Sequence, residues 1–149
     1  MKKVLITGGG GYIGSMLSTE LVHLGHDVTV IDQLKYDKSS LDHLYFNENF
    51  KFINKDIRSL KVLKQYIKQN EIIIPLAALV GAPLCKKNKK EAISTNYKAI
   101  KDILKYLKPK NKLIYLTTNS GYGIGEKNKY CNEDSPLNPI SLYGQTKCD

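Results

Sequence analysis

Tyr143 and Lys147 stand four residues apart near the end of the chain, a spacing that puts both side chains on one face of a helix. A phenol titrates near pH ~10 and is a poor base at neutrality, but a neighbouring ammonium group favours its ionised form. Each unit of pKa lowering corresponds to ~1.4 kcal/mol of preference for the phenolate. Such a pair could take the proton of an alcohol while an acceptor takes the accompanying hydride. In a chain with 23 Lys and Arg residues the spacing also arises by accident, so its companions decide its meaning.

Thr7-Gly8-Gly9-Gly10-Gly11-Tyr12-Ile13-Gly14 is the second stretch that could do chemistry. Gly9, Gly11 and Gly14 fit G-x-G-x-x-G, Gly8, Gly11 and Gly14 fit G-x-x-G-x-x-G, and the sequence leaves both registers open. In either, the first glycine allows a tight turn, the middle one lets backbone approach a pyrophosphate, and the last lets helix pack on strand. The run follows an apolar strand and opens an amphipathic helix, whose first N–H groups turn partial positive charge toward an anion. Asp32 ends the next strand ~20 residues on, where a carboxylate accepts hydrogen bonds from the adenosine ribose. It would also repel the extra phosphate of NADP, which favours NAD; Lys35 close by could partly offset that repulsion.

These residues need a scaffold, and the hydrophobic pattern supplies one. Val4-Leu5-Ile6, Val28-Thr29-Val30-Ile31, Phe50-Lys51-Phe52-Ile53, Ile72-Ile73-Ile74 and Leu113-Ile114-Tyr115-Leu116 read as five strands, mostly buried on both faces. Helical stripes lie between them: Ile13, Leu17, Leu21 and Leu24; then Leu60, Leu63 and Ile67; then Ile93, Tyr97, Ile100, Leu104 and Leu107. Gly25 stops the first helix, and Pro109 lies just past the third. The alternation predicts an α/β fold: a Rossmann-type doubly wound parallel sheet, three-layer α/β/α, in one NAD-binding domain over 1–149. Lys86-Lys87-Asn88-Lys89-Lys90 reads as a solvated loop and helix start, with a phosphate-attracting rim as its functional alternative.

The totals narrow the field. At 149 residues, 42% hydrophobic and 25% charged, the composition is that of an ordinary soluble domain. No run approaches the ~20 apolar residues of a membrane helix, and Val4 to Thr7 is too short for a secretory signal. A cytoplasmic setting with no membrane partner is expected. Cys85, Cys131 and Cys148 lack metal-ligand spacing, so no metal is expected. The net charge of +9 attracts phosphate-bearing ligands. Arg58 is the only arginine, however, and base readout favours arginine, so no nucleic-acid partner is expected.

Five segments taken in order resemble the extended short-chain dehydrogenase/reductase family, in its NAD-dependent epimerase/dehydratase branch of UDP-glucose 4-epimerase type. They are Thr7 to Gly14, Asp32-Gln33-Leu34, Asp56-Ile57-Arg58, Leu76-Ala77-Ala78, and Thr117 to Gly123 followed by Tyr143 to Lys147. The resemblance covers essentially the whole chain. It implies that Tyr12 and Ile13 contact the pyrophosphate, that Asp32 and Gln33 belong to the cofactor site, and that Asp56 and Ile57 flank the adenine. It implies that Leu76, Ala77, Ala78 and Leu79 line the passage to the nicotinamide ribose. Asn96 matches an asparagine near the cofactor, although beside an apolar stripe it could serve helix packing alone. Thr118 matches the catalytic Ser or Thr at a strand end, with Thr117 as its competitor. Tyr143 would then deprotonate a sugar hydroxyl, and Lys147 would hold the nicotinamide ribose.

Departures from the family pattern refine the expected reaction. Dehydratases of the branch carry Asp-Glu after the threonine, and its decarboxylases keep the glutamate; here Asn119 and Ser120 stand there. Pro75 replaces a frequent histidine and Gly121 a frequent valine. The expectation is an epimerase that oxidises C4 of a UDP-, dTDP-, GDP- or CDP-linked sugar and re-reduces the 4-keto sugar. The alternatives are a non-catalytic NAD-binding or redox-sensing module and, behind it, a 4,6-dehydratase. Relatives run on for roughly as many residues again and commonly form homodimers. The chain is therefore expected to be an N-terminal fragment that keeps much of the NAD site, grips sugar nucleotide poorly and turns over little.

Overall fold

The computed structural model describes residues 1–125 and 128–149. Strands β1 (Lys3–Thr7), β2 (Asp27–Asp32), β3 (Phe50–Asn54), β4 (Ile72–Pro75) and β5 (Lys112–Leu113) pair in parallel in the order β3-β2-β1-β4-β5. That is the Rossmann-type order, and it follows from right-handed crossovers on either side of a central β1. The helices are α1 (Tyr12–His23), α2 (Leu60–Gln69), α3 (Ala82–Lys87), α4 (Lys89–Ala92), α5 (Ala99–Tyr106) and α6 (Leu142–Cys148), with a π-helical turn at Ile93–Lys98. The chain gathers into two compact units: Met1–Ala77 with Ala99–Tyr115, and Ala78–Lys98 with Leu116–Asp149.

The first unit is the sheet and its helices. Val4, Ile6, Val28, Val30 and Ile74 turn to one face, where Val22, Leu17 and Leu21 of α1 cover them. Leu5, Ile31 and Ile73 turn to the other, under Leu63 and Ile67 of α2 and Ala99 and Ile103 of α5. Each fully buried Leu or Ile contributes roughly 1.5–3 kcal/mol of transfer free energy, so the β-branched strands are both the template and the core. Beyond α1, Gly25 takes φ +76°; its N–H bonds Val22 C=O, and the N–H of His26 bonds Leu21 C=O. These paired bonds close the helix as a Schellman motif.

All three helical stripes depart in part from the hydrophobic count. On α1 the buried line is Gly14, Ser18 and Val22, while Ile13 and Leu24 are more than half exposed. Leu60 of α2 is likewise exposed. From Ala92 to Ile103 the buried line is Ala92, Asn96, Ala99 and Ile103, one residue earlier than expected, with Ile93 and Leu104 exposed. Small side chains let a helix lie closest to its neighbour, and a count of large apolar residues passes over them.

The fifth strand is displaced and shorter than expected. It starts at Lys112 and ends at Leu113, and a last rung runs from Ile114 N–H to Ile73 C=O. The next rung would need an N–H at residue 75 to reach the Ile114 carbonyl, and Pro75 has none. Proline therefore ends the β4–β5 ladder, and Ile114 to Thr118 run on without strand pairing.

The second unit packs around Leu79, Cys85 and Ala92, against which Leu142 and Tyr143 lie. Its short apolar core is supplemented by buried polar groups, Asn96, Thr146 and Lys147.

Candidate functional site

The glycine turn is shaped by contacts that exclude side chains. Gly8 takes φ +77°, and a Cβ there would lie 2.3 Å from the backbone nitrogen of Ala77. At Gly14 a Cβ would lie 2.4 Å from the Gly8 carbonyl oxygen and 2.6 Å from Gly9 Cα. The turn is thus made at Gly8 and closed by Gly14, with Gly11 N–H donating to Gly8 C=O at 3.2 Å, and at Gly9 a Cβ would lie 2.6 Å from Val30 Cγ1. Gly11 differs: a Cβ there meets nothing nearer than Gly8 O at 3.4 Å, an ordinary contact. No internal neighbour requires glycine at that position, whereas a pyrophosphate lying along the backbone would. Tyr12, Ile13 and Gly14 form the first helical turn, which carries no acidic residue, and the first intrahelical bond runs from Ser15 N–H to Gly11 C=O. These residues fit a dinucleotide's diphosphate.

Asp32 lies at the end of β2 with both carboxylate oxygens engaged. Oδ2 accepts from Gly10 N–H at 2.9 Å and Oδ1 from Leu34 N–H at 2.7 Å. A carboxylate has about four acceptor positions, so two hydroxyls of a ribose can still donate to it. Gln33 beside it is exposed. Asp56 is bound by Arg58, whose backbone N–H donates at 2.8 Å and Nε at 2.9–3.0 Å, with Nη2 also in contact. The guanidinium holds the Asp56 carboxyl below its usual range, with a smaller contribution from the charge of Lys35. The Ile57 side chain is buried in the core between sheet and α2, leaving its backbone as the part a ligand could meet. Leu76 and Ala77 both donate their N–H groups to Thr7 C=O at 2.8 Å, which fixes the start of the segment leaving β4.

In the second unit, Asn96 is 2% exposed and grips the backbone of one residue with both ends of its carboxamide. Its Oδ1 accepts from Leu79 N–H at 2.8 Å and its Nδ2 donates to Leu79 C=O at 2.9 Å. Nδ2 also reaches Thr146 Oγ1 at 3.4 Å, and that hydroxyl donates to Tyr143 C=O at 3.1 Å. The carboxamide's hydrogen bonds thus all lie inside the protein, and its role is to fix Leu79, next to the partly buried Ala78. Burial pushes the Cys85 thiol up, so it stays protonated and contacts Leu79 C=O at 3.3 Å.

α6 starts at Ser141, whose Oγ accepts from Gly144 N–H at 3.0 Å. One helical turn separates Tyr143, half-buried against the Leu79 cluster, from Lys147, which is 8% exposed. Burial lowers the pKa of the Lys147 ammonium, an effect the adjacent Cys148 opposes. Thr118 caps the turn Asn119–Tyr122, its Oγ1 accepting from Ser120 N–H at 3.2 Å. It lies five residues past the end of β5, not at a strand end as expected, because of the Pro75 interruption. Its own hydroxyl proton remains to donate, and Thr117 is the more exposed of the two. Sequence reasoning gave no role to Gly10 and Leu34, whose N–H groups hold Asp32, to Ser40, whose Oγ donates to Gly10 C=O, or to Thr146. Gly10 is the one glycine of the run that neither register uses. Among the described residues no cluster of three or more His, Cys, Asp or Glu could hold a metal ion, and no helix is long and apolar enough to cross a membrane.

A parallel sheet in the order β3-β2-β1-β4-β5 with a glycine turn opening α1 defines a Rossmann-type dinucleotide-binding fold. The sequence profile of the NAD dependent epimerase/dehydratase family matches residues 4–148, and the chain belongs to that family. It is 36% identical over 97% of its length to UDP-N-acetyl-alpha-D-glucosaminuronate decarboxylase of Bacillus cytotoxicus, covering 43% of that protein. It is 32% identical, again over 97%, to UDP-glucose 4-epimerase of Lactobacillus helveticus, covering 44%. Among solved structures, the UDP-Glc/GlcNAc 4-epimerase of Campylobacter jejuni superposes with TM-score 0.88 at 27% identity, over 99% of this chain and 46% of that one. The chain spans about half the length of the curated relatives it matches.

Proposed function

We propose that this chain carries the NAD site and proton-handling residues of an epimerase acting at C4 of a nucleotide-linked sugar, UDP being the nucleotide named in several of its relatives. The observation that carries the reading is Tyr143 paired with a buried Lys147 on one turn of α6. Gly8, Gly11, Tyr12, Ile13 and Gly14 would hold the pyrophosphate. Asp32 would hold the adenosine ribose, while Gln33, Asp56 and Ile57 would flank the adenosine. Leu76, Ala77 and Ala78 would line the way to the nicotinamide ribose, with Asn96 acting through Leu79. NAD, when bound, supplies the hydride acceptor and later the donor.

Tyr143, as phenolate, would take the proton of the C4 hydroxyl and return it on re-reduction, so atoms and charge balance over the cycle. The Lys147 ammonium would favour that phenolate through its charge and hydrogen-bond the nicotinamide ribose. The Thr118 hydroxyl would donate to the reacting sugar oxygen. The similarity to a decarboxylase favours a second reading, in which a nucleotide-linked uronate, oxidised at C4, loses its C6 carboxylate as CO2. Asn119 and Ser120 argue against it, because neither can act as the acid or base that the family places there. Product analysis with UDP-glucose and UDP-glucuronate separates the two. Epimerised sugar without CO2 or accumulating NADH is expected, and a Tyr143→Phe variant of undiminished turnover would defeat the mechanism.

A further inference from the structure

Gly10 is a glycine that neither register of the motif requires, and the structure supplies a reason for it. A Cβ there would lie 2.4 Å from Leu34 Cδ2 and 3.1 Å from Asp32 Cγ. Its N–H donates to Asp32 Oδ2 at 2.9 Å, and its carbonyl accepts from Ser40 Oγ at 2.9 Å. Leu34, at φ +50°, sits in the left-handed region that a leucine rarely adopts, with its N–H on Asp32 Oδ1 at 2.7 Å. Both backbone polar groups of Gly10, both oxygens of Asp32 and one strained residue are therefore committed to joining the glycine turn to the segment after β2.

We propose that Gly10, Leu34 and Ser40 form a latch that holds the Asp32 carboxylate in place and so determines selection of NAD over NADP. The inference rests on the NAD reading above and deepens it. A carboxylate excludes a 2′-phosphate only while it cannot turn away. A free Asp32 could rotate toward solvent and let Lys35 meet the phosphate; the latched one is held by two charge-assisted bonds from backbone N–H groups. Gly10, Leu34 and Ser40 are thus positioning residues, acting on the nucleotide through Asp32.

Gly10→Ala puts a Cβ 2.4 Å from the tip of Leu34 and 3.1 Å from Asp32 Cγ, so Leu34 must turn aside and the Asp32 carboxylate must shift by about a few tenths of an ångström, which loosens the latch. Ser40→Ala removes one bond without crowding. Gly10→Ala combined with Leu34→Ala restores much of the space. Dissociation constants for NAD and for NADP are measured by calorimetry on the native chain and each variant, with thermal melting as a check on folding. Gly10→Ala is expected to lower the NADP-to-NAD ratio of dissociation constants about tenfold, the equivalent of losing one such bond. Ser40→Ala should shift it the same way by less, and the double variant should recover part of it. Equal weakening of both nucleotides, or an unchanged ratio in folded Gly10→Ala and Ser40→Ala, would overturn the latch while leaving the NAD reading intact. A native chain that binds neither nucleotide would remove both.

Discussion

Replacing Asn96 tests how the second unit is held together. The side chain is 2% exposed, and its two bonds to Leu79, at 2.8 and 2.9 Å, are near ideal length. Asn96→Ala would orphan the Leu79 N–H at a residue only 8% exposed, at about 1–3 kcal/mol for one unsatisfied buried group. The Leu79 carbonyl would keep the Cys85 thiol as a donor, so its loss is partial. Adding the small void left by the carboxamide gives a total of roughly 2–4 kcal/mol. Asn96→Asp is the sharper probe, because one oxygen can still accept from Leu79 N–H while the other must face the Leu79 carbonyl. Repulsion there raises the introduced carboxyl's folded-state pKa above its unfolded value, so stability is retained at low pH and lost as pH rises through the raised value. Urea unfolding followed by far-UV circular dichroism at several pH values, with amide exchange at Leu79, measures both effects. An Asn96→Ala variant within 0.5 kcal/mol of native and a Leu79 amide as slow to exchange as before would refute the reasoning, the threshold being the usual scale of a neutral surface change.

The glycine turn separates two glycines by their neighbours. Gly14→Ala drives a Cβ into the backbone of Gly8 and Gly9 and should destabilise the fold by about 1–3 kcal/mol. Gly11→Ala meets only an ordinary contact, so it should melt like the native chain yet bind NAD at least tenfold more weakly in calorimetry. For Lys147 the folded-state pKa lies below the unfolded one, so the unfolded chain holds the extra proton between those values and stability climbs with pH across that window. Lys147→Met should therefore raise the melting temperature at pH 7, flatten its alkaline dependence and abolish turnover. A lower melting temperature would show that the ammonium's partners outweigh its burial.

The central strands are legible in the sequence because burial on both faces leaves few residues that fit, and β1, β2 and β4 run almost without a polar interruption. The place of the glycine turn between β1 and α1, and of Asp32 at the end of β2, is legible for a related reason: both lie within one βαβ unit whose short connections leave few positions for them. What escapes is decided by residues far apart in the chain. The end of β5 depends on a missing N–H at Pro75, some forty residues upstream, and no pattern local to Leu113-Ile114-Tyr115-Leu116 records it. The buried lines of α1 and of the segment from Ala92 follow Gly14, Ser18, Asn96 and Ala99, residues small or polar enough to look like the exposed side. The partners of Gly10 come from 22 and 30 residues away and meet it only after β2 has paired with β1. A motif records what a bound group needs of the chain. Gly10 answers to the chain's own later residues, so its sequence signal is an excess over the motif, and excess of that kind points to a contact the fold itself must make.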